Sequence, residues 1–346
     1  MIRIKIDNKD YEGFGNVALN LTFDAVASTF SFDAYFDPEN PAHRDLLRPL
    51  KYREVKIYDD STLLLTGYIL SHRYSAQSRN SLVPVSGYSK TGILEDVSIP
   101  VDLYPLETTN KSLKEIAAKL IEPFGIGLVI DSEVAAEAEK LYDKSTSSGS
   151  DTVAGYLSQL ASQRNIILTH TASGDLRLAR PKKSKAAIAT YIENMPAVTI
   201  DLEVNGQGMH SETTVMRQGS VTDDINGEAT KKNVLVGQYR PLTKEQTKGG
   251  NGDTESAADN AAAAELQNIA LTITSDRWTW YDGRRLSVST PDHYINVNSP
   301  SCFLSNTSTW FVKSVTLTES DKQRAATLYC VLPESFNGEE PKNIFG

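Results

Sequence analysis

The sequence predicts an α+β protein that is mainly β. Three observations carry that expectation. Short runs of two-residue hydrophobic alternation recur along most of the 346 residues, bounded by Gly and polar turns. Helical spacing is confined to two windows between Ser112 and Asn165 and to an alanine-rich run near Ser256 to Ala270. The length allows two to three domains, and 40% hydrophobic with 23% charged residues is ordinary for a globular chain.

The stretch from Val55 to Pro100 organises the N-terminal part. Val55, Ile57 and Tyr58 lead into Asp59-Asp60-Ser61, a turn composition. Leu63 to Leu70 follows, interrupted by Gly67, and a polar loop at Ala76 to Asn80 reverses the chain into Leu82, Val83 and Val85. Gly87 to Asp96 closes a unit that reads as a small antiparallel barrel. Upstream, Met1 to Ile6 and Val17 to Phe23 alternate on either side of a turn at Gly13 and Gly15. Phe30, Phe32, Ala34 and Phe36 share one face, which marks a half-buried strand. Pro38, Pro41 and Pro49 make Asp37 to Leu50 a loop with room for one helical turn. Residues 1-100 are therefore expected to form one β domain.

Residues 101-181 change period. Ser112 and Glu115 form a capping box before Leu113, Ile116, Ala117, Leu120 and Ile121, and Pro123 with Gly125 stops that helix. A short strand at Ile126 to Ile130 and a polar loop at Ser145 to Ser150 lead to Asp151, expected to cap a second helix through Val153, Leu157, Leu160 and Ala161. Asn165 is placed to end it. Ile166 to His170 and Leu176 to Leu178 pair around Ser173-Gly174. Lys182, Lys183 and Lys185 read as a solvated linker. Val198 to Val204 and Glu212 to Gln218 return to alternation, and Lys248 to Asp253 is a loop before the alanine-rich helix. Leu271 to Thr274, Leu286 to Ser289, Cys302 to Leu304, Trp310 to Leu317 and Ala326 to Leu332 complete a second β set.

Composition excludes several classes. The net charge of -9, from 35 Lys+Arg against 44 Asp+Glu, argues against nucleic-acid binding as the main activity. Two cysteines, Cys302 and Cys330, are too few for a disulfide-stapled secreted domain; two buried thiols on strands is the first reading and a single bridge the second. The N-terminus lacks the apolar core of a signal peptide, and no apolar run is long enough to span a bilayer, so no membrane insertion is expected.

No catalytic, cofactor-binding or metal-ligating residue is assigned. His43, His72, His170, His210 and His293 show no ligand or triad spacing. Gly87 to Gly92 is one residue too long for a nucleophile elbow, and Lys248-Gly249-Gly250-Asn251-Gly252 lacks the order of a phosphate-binding loop. Asp59-Asp60, Asp223-Asp224 and Glu339-Glu340 are adjacent pairs; neighbours on an extended chain point apart, which suits solvated turns better than acid/base work or calcium. Trp278, Trp280 and Tyr281 could form a sugar platform or part of a core.

Several phrases resemble, in order, the Mu-like baseplate hub proteins of contractile phage tails and related prophages. They are Thr66-Gly67-Tyr68-Ile69 with Val85 to Asp96; Ser173 to Leu178 as a turn; Tyr239 to Leu242; Trp278, Trp280, Tyr281 and Gly283; and Phe311 to Leu317 followed by Thr327 to Phe336. The resemblance implies two similar antiparallel β-barrel domains, residues 1-100 and a split 182-240 with 284-336. It further implies a small α+β domain at 101-181, a helix-containing insertion at 241-283 and a loose tail at 337-346. It also implies a non-enzymatic homotrimeric ring that joins the hexameric tail tube protein to the trimeric central spike protein. DNA would pass through that ring without tight binding. The protein would reside in the virion baseplate after synthesis and assembly in the host cytoplasm. One alternative is a carbohydrate-binding or glycan-cleaving β protein that stacks sugars on Trp278 and Trp280. Another is the hub part of a type VI secretion spike, which normally continues into a long β-helix, whereas this sequence ends at Gly346.

Overall fold

A computed structural model describes residues 2-76, 82-103, 107-182, 186-217, 227-245, 253-280, 287-337 and 343-345. The expectations for the Ala76 to Asn80 loop, Lys183, Lys185, Asp223-Asp224, Lys248 to Gly252, Tyr281, Gly283 and Glu339-Glu340 fall wholly or mostly outside these residues.

The N-terminal part is built from β1 (Ile2–Ile6), β2 (Lys9–Tyr11), β3 (Phe14–Thr22), β4 (Thr29–Tyr35), helix α1 (Pro41–Leu46), β5 (Glu54–Asp59), β6 (Thr62–His72) and β7 (Leu82–Ser89), closed by α2 (Ile93–Asp96). Alternation puts Ile2, Ile4 and Ile6 inside on β1, and Phe30, Phe32 and Ala34 inside on β4. Strands β6 and β7 approach unusually closely at two glycines: a Cβ on Gly67 would lie 2.0 Å from the Tyr88 carbonyl oxygen, and one on Gly87 1.9 Å from that of Tyr68. Only glycine fits there.

The next module contains β8 (Glu107–Ser112), α3 (Leu113–Ile121), β9 (Leu128–Ile130), α4 (Ala135–Glu139), β10 (Leu141–Thr146), α5 (Val153–Ser162), β11 (Ile167–His170) and β12 (Leu176–Ala179). The capping box is present: the Ser112 hydroxyl accepts from the Glu115 amide while the Glu115 carboxylate accepts from the Ser112 amide. Two expectations are corrected. Thr152, not Asp151, caps α5, accepting from the Gly155 amide at 3.0 Å; Asp151 instead accepts from the Ser148 amide. Ser145 and Thr146 belong to a strand, because β10 pairs antiparallel with β8 in a polar two-stranded sheet.

Then follow β13 (Ala189–Ile192), β14 (Val198–Val204), β15 (Glu212–Arg217), β16 (Gly227–Lys232), β17 (Pro241–Glu245), α6 (Asp253–Glu265), β18 (Ile269–Ser275), β19 (His293–Ser299), β20 (Leu304–Glu319), β21 (Arg324–Val331) and α7 (Glu334–Asn337). Strands β15, β16 and β17 form a separate small sheet that packs on α6.

The α+β, mainly β class is borne out, but the strands do not close into barrels. Thirteen of them join in one sheet of order β14-β18-β21-β20-β3-β4-β7-β6-β5-β1-β2, with β19 branching from β20 and β13 from β19. The reason is the pairing of β20 with β3, from Ser314↔Thr22 to Glu319↔Val17. The edge that would close the first barrel is instead satisfied by a strand some 300 residues later in the chain. One core follows the sheet, uniting Ile4, Leu19 and Phe32 with Ile273, Trp310 and Leu328; a second fills the α+β module. Phe23, Phe311 and Phe336 meet edge to face between them. Near the C-terminus, Ile344 and Phe345 pack on the main core.

Candidate assembly surfaces

The polar clusters that could suggest chemistry are buried joints. His170 on β11 faces Ser28, in the β3–β4 connection, at 2.7 Å from its Nε2, and Nδ1 faces the Thr171 carbonyl at 3.1 Å. A serine beside a histidine suits a nucleophile, yet Ser28 is buried and its Oγ already accepts from the Thr22 amide at 3.0 Å. The network continues through Ser89 and Thr91 to the Val26 carbonyl, so these hydroxyls are engaged inside the fold. Burial lowers the His170 pKa.

Charged pairs staple distant segments. Arg177 on β12 donates from Nε and Nη2 to both Asp131 oxygens, at 2.9 and 2.6 Å, and from Nη2 to Asp292 at 2.9 Å. These bonds, working against burial, raise the pKa of its guanidinium. Arg324 on β21 reaches Asp59 at 2.6 Å, across the sheet from the β5–β6 turn, and lies 4.3 Å over the Trp278 ring. Glu265 at the end of α6 accepts from the His210 amide at 2.9 Å and the Thr213 hydroxyl at 3.2 Å, holding the small sheet to the helix. Lys182 pairs with Glu133 at 3.3 Å, consistent with an exposed connector. Among the described residues, no group of three His, Cys, Asp or Glu side chains could hold a metal ion.

The sugar-platform reading fails on burial. Trp278 is 1% exposed and donates from Nε1 to the Thr318 carbonyl; Trp280 is 2% exposed and packs beside His293. Neither face is open to a sugar. The cysteines are free: Cys330 is buried on β21, while Cys302 is only half-buried and lies in a one-turn helix rather than on a strand.

What remains at the surface are edges and apolar groups. Strand β14 ends the large sheet with Thr199, Asp201 and Glu203 outward. A cavity of about 420 Å³ opens beside α1, lined by Phe36, Arg44, Asp45, Leu47, Arg48, Pro49 and Tyr74. Leu50 and Tyr52 next to it are 76% and 56% exposed, and Phe303 is 73% exposed. Single exposed apolar residues are common, but a cluster around a cavity marks a contact site. Sequence reading did not find this surface, because Asp37 to Leu50 looked like an ordinary proline-rich loop.

Residues 91–180 match the family model of baseplate hub proteins described as gp44-like, second domain. Over nearly its whole length the chain has the fold of phage tail proteins. The 43 kDa tail protein of prophage MuSo2 from Shewanella oneidensis is similar at a TM-score of 0.80 and 19% identity, covering 97% of this chain and 99% of that one. The tail protein from Neisseria meningitidis MC58 gives 0.79 and 18%, covering 97% of each. The E. coli c3393 protein, a type VI secretion component described as structurally similar to the T4 tail proteins gp27 and gp5, gives 0.56 and 11%, covering 99% and 80%. No curated protein sequence matches the chain. The resemblance to Mu-like baseplate hubs is thus borne out.

Proposed function

We propose that this chain is the structural baseplate hub of a contractile phage or prophage tail, a homotrimeric ring joining the hexameric tail tube to the trimeric central spike. The match of residues 91–180 to the second domain of baseplate hubs carries the reading. Supporting it is a fold shared over 97% of the chain with two tail proteins, one of them from a prophage. The mechanism is symmetry adaptation and load bearing: two β-rich halves per chain give three copies six quasi-equivalent segments, matching a sixfold tube on one face and a threefold spike on the other. On this reading residues 1-100 and the split 182-240 with 284-336 are the two ring-forming domains, 101-181 is the α+β domain, 241-283 the insertion and 337-346 the tail.

Catalysis has no part in this role, and the polar clusters are spent on internal joints. The hub is made and assembled in the host cytoplasm and ends in the virion, with DNA passing through the ring. Among the described residues no helix is long and apolar enough to cross a membrane. A type VI spike hub is the second reading, favoured by the fold likeness to the c3393 protein but at the lower TM-score of 0.56. Light scattering and negative-stain electron microscopy of the purified protein test the proposal. Threefold rings of about 114 kDa, three times 38.0 kDa, are expected; a 38 kDa particle alone or with a spike would refute it.

A further inference from the structure

Two surface features lie on opposite halves of the continuous sheet and complement each other. The first is the cavity beside α1. Phe36 and Tyr74 meet edge to face there with ring centroids 5.3 Å apart, Tyr74 stacks on His72, and the Tyr74 hydroxyl donates to the Leu47 carbonyl. These contacts fix the aromatic wall of a cavity whose lining also includes Arg44, Asp45 and Arg48. Leu50 and Tyr52 hold left-handed φ angles of 60° and 48°, uncommon for bulky residues and a mark of sites where structure serves a contact. Arg44 and Arg48 line the mouth and have no carboxylate partner among the described residues, whereas Asp45 is taken by Arg53 at 3.0 Å.

The second feature is the turn before β20. Phe303 is exposed at a φ of 59°, and the turn that presents it is pinned. The Glu193 carboxylate accepts from the Ser301 amide at 3.0 Å, the Ser301 hydroxyl at 2.6 Å and the Ser299 hydroxyl at 3.1 Å. Phe303 N–H donates to the Pro300 carbonyl at 3.0 Å, and Cys302 Sγ donates to the Ile200 carbonyl on β14. That last contact sets the turn beside β14, whose outward Asp201 and Glu203 have no basic partner among the described residues.

We propose that Phe303 of one copy seats in the α1 cavity of a second copy, with Asp201 and Glu203 of the first facing Arg44 and Arg48 of the second. A rigid aromatic knob entering a partly aromatic hole is a usual centre of a contact, and opposite charges around it set its register. The knob lies on the C-terminal half of the sheet and the hole on the N-terminal half. The contact is therefore head-to-tail, the kind that closes into a ring when the rotation between copies allows it. The inference deepens the ring reading and rests on it.

Photo-crosslinking tests it. p-Benzoylphenylalanine is placed at position 303 of the full chain, the protein is irradiated at about 100 µM, where contacts far weaker than nanomolar still populate, and adducts are mapped by mass spectrometry. Sedimentation velocity is run in parallel on wild type, Phe303→Asp, the pair Arg44→Glu with Arg48→Glu, and that pair combined with Asp201→Arg and Glu203→Arg. The expected result is an intermolecular adduct in peptides holding Phe36, Leu47 or Tyr74. Phe303→Asp and the arginine pair should each weaken association by about tenfold or more, and the fourfold charge swap should recover much of the loss. Association that survives Phe303→Asp, with adducts elsewhere, would overturn this pairing and leave the ring standing. A wild-type monomer with no intermolecular adduct would overturn both.

Discussion

His170 Nδ1 faces a carbonyl oxygen and Nε2 faces a serine hydroxyl that already accepts an amide, so the neutral ring with its proton on Nδ1 satisfies every partner. Ser28 then donates to Nε2. Protonation would put a second donor against Ser28 and leave that hydroxyl without its acceptor. Burial depresses the pKa of His170 and also that of His72. A histidine held below its unfolded value, near 6.5, contributes stability that is complete above that value and is lost as the pH falls toward the folded pKa. The melting temperature should therefore drop between about pH 6.5 and 5, each histidine adding at most about 1.4 kcal/mol per pH unit. The carboxylates lowered by hydrogen bonds, such as Glu115 and Glu193, act only below about pH 4.3, outside this window. Thermal melts of wild type, His170→Gln and His72→Gln across pH 5 to 8 check it; a slope unchanged by both substitutions would refute the assignment. The thiols offer a second residue-scale check. Burial pushes the Cys330 thiol well above its ordinary pKa, while Cys302 is half-buried. Iodoacetamide should label Cys302 alone in the native protein and both after denaturation, read by intact mass.

Among the elements, helix α3 was legible because its signals are local: Ser112 and Glu115 three residues apart, then apolar residues on one face. Ser112→Ala should cost about 1 kcal/mol, measured by urea denaturation. The α5 cap was misplaced by one residue because Asp151 and Thr152 are both good caps, and only the observed register gives the Gly155 amide to Thr152. The β8–β10 pair escaped sequence reading for a different reason. Its strands, Glu-Thr-Thr-Asn-Lys-Ser and Leu-Tyr-Asp-Lys-Ser-Thr, are polar and are separated in the chain by α3, β9 and α4, so neither apolar alternation nor a turn marks the pairing. The Phe303 turn and the α1 cavity were hidden because exposure, not composition, distinguishes them. Strands β6 and β7 show the opposite case, where two glycines announce a close approach. Gly87→Ala would press a methyl group against the Tyr68 carbonyl and the Phe30 ring. Strand separation there should cost about 1–3 kcal/mol, with hydrogen exchange rising across β6 and β7 more than in the α+β module.

At the scale of the molecule, the decisive pairing joins the two ends of the chain. Strand β20 meets β3, and Arg324 reaches Asp59 across 265 positions. No local signal encodes such contacts, which is why two closed barrels were the natural expectation and one open sheet is found. A sheet continuous through both halves ties the two β-rich halves of a copy together, which suits the proposed load-bearing ring. If three such copies surround the path of a genome, the lining has to let a polyanion slide. Tight phosphate binding comes from clustered Lys and Arg, each contact adding salt-dependent affinity. This chain carries -9, so three copies carry three times that, -27. That surplus repels DNA at long range, although physiological salt screens it beyond about 8 Å. Arg177 and Arg324 are held by internal carboxylates, which removes two cations from any such role. A lumen that is neutral or acidic is the expected outcome, with Lys182, Lys183 and Lys185 outside it. Gel shifts of duplex DNA at low and moderate salt should show no retardation up to micromolar protein. Sub-micromolar binding that weakens steeply with salt would mean that the ring grips its cargo.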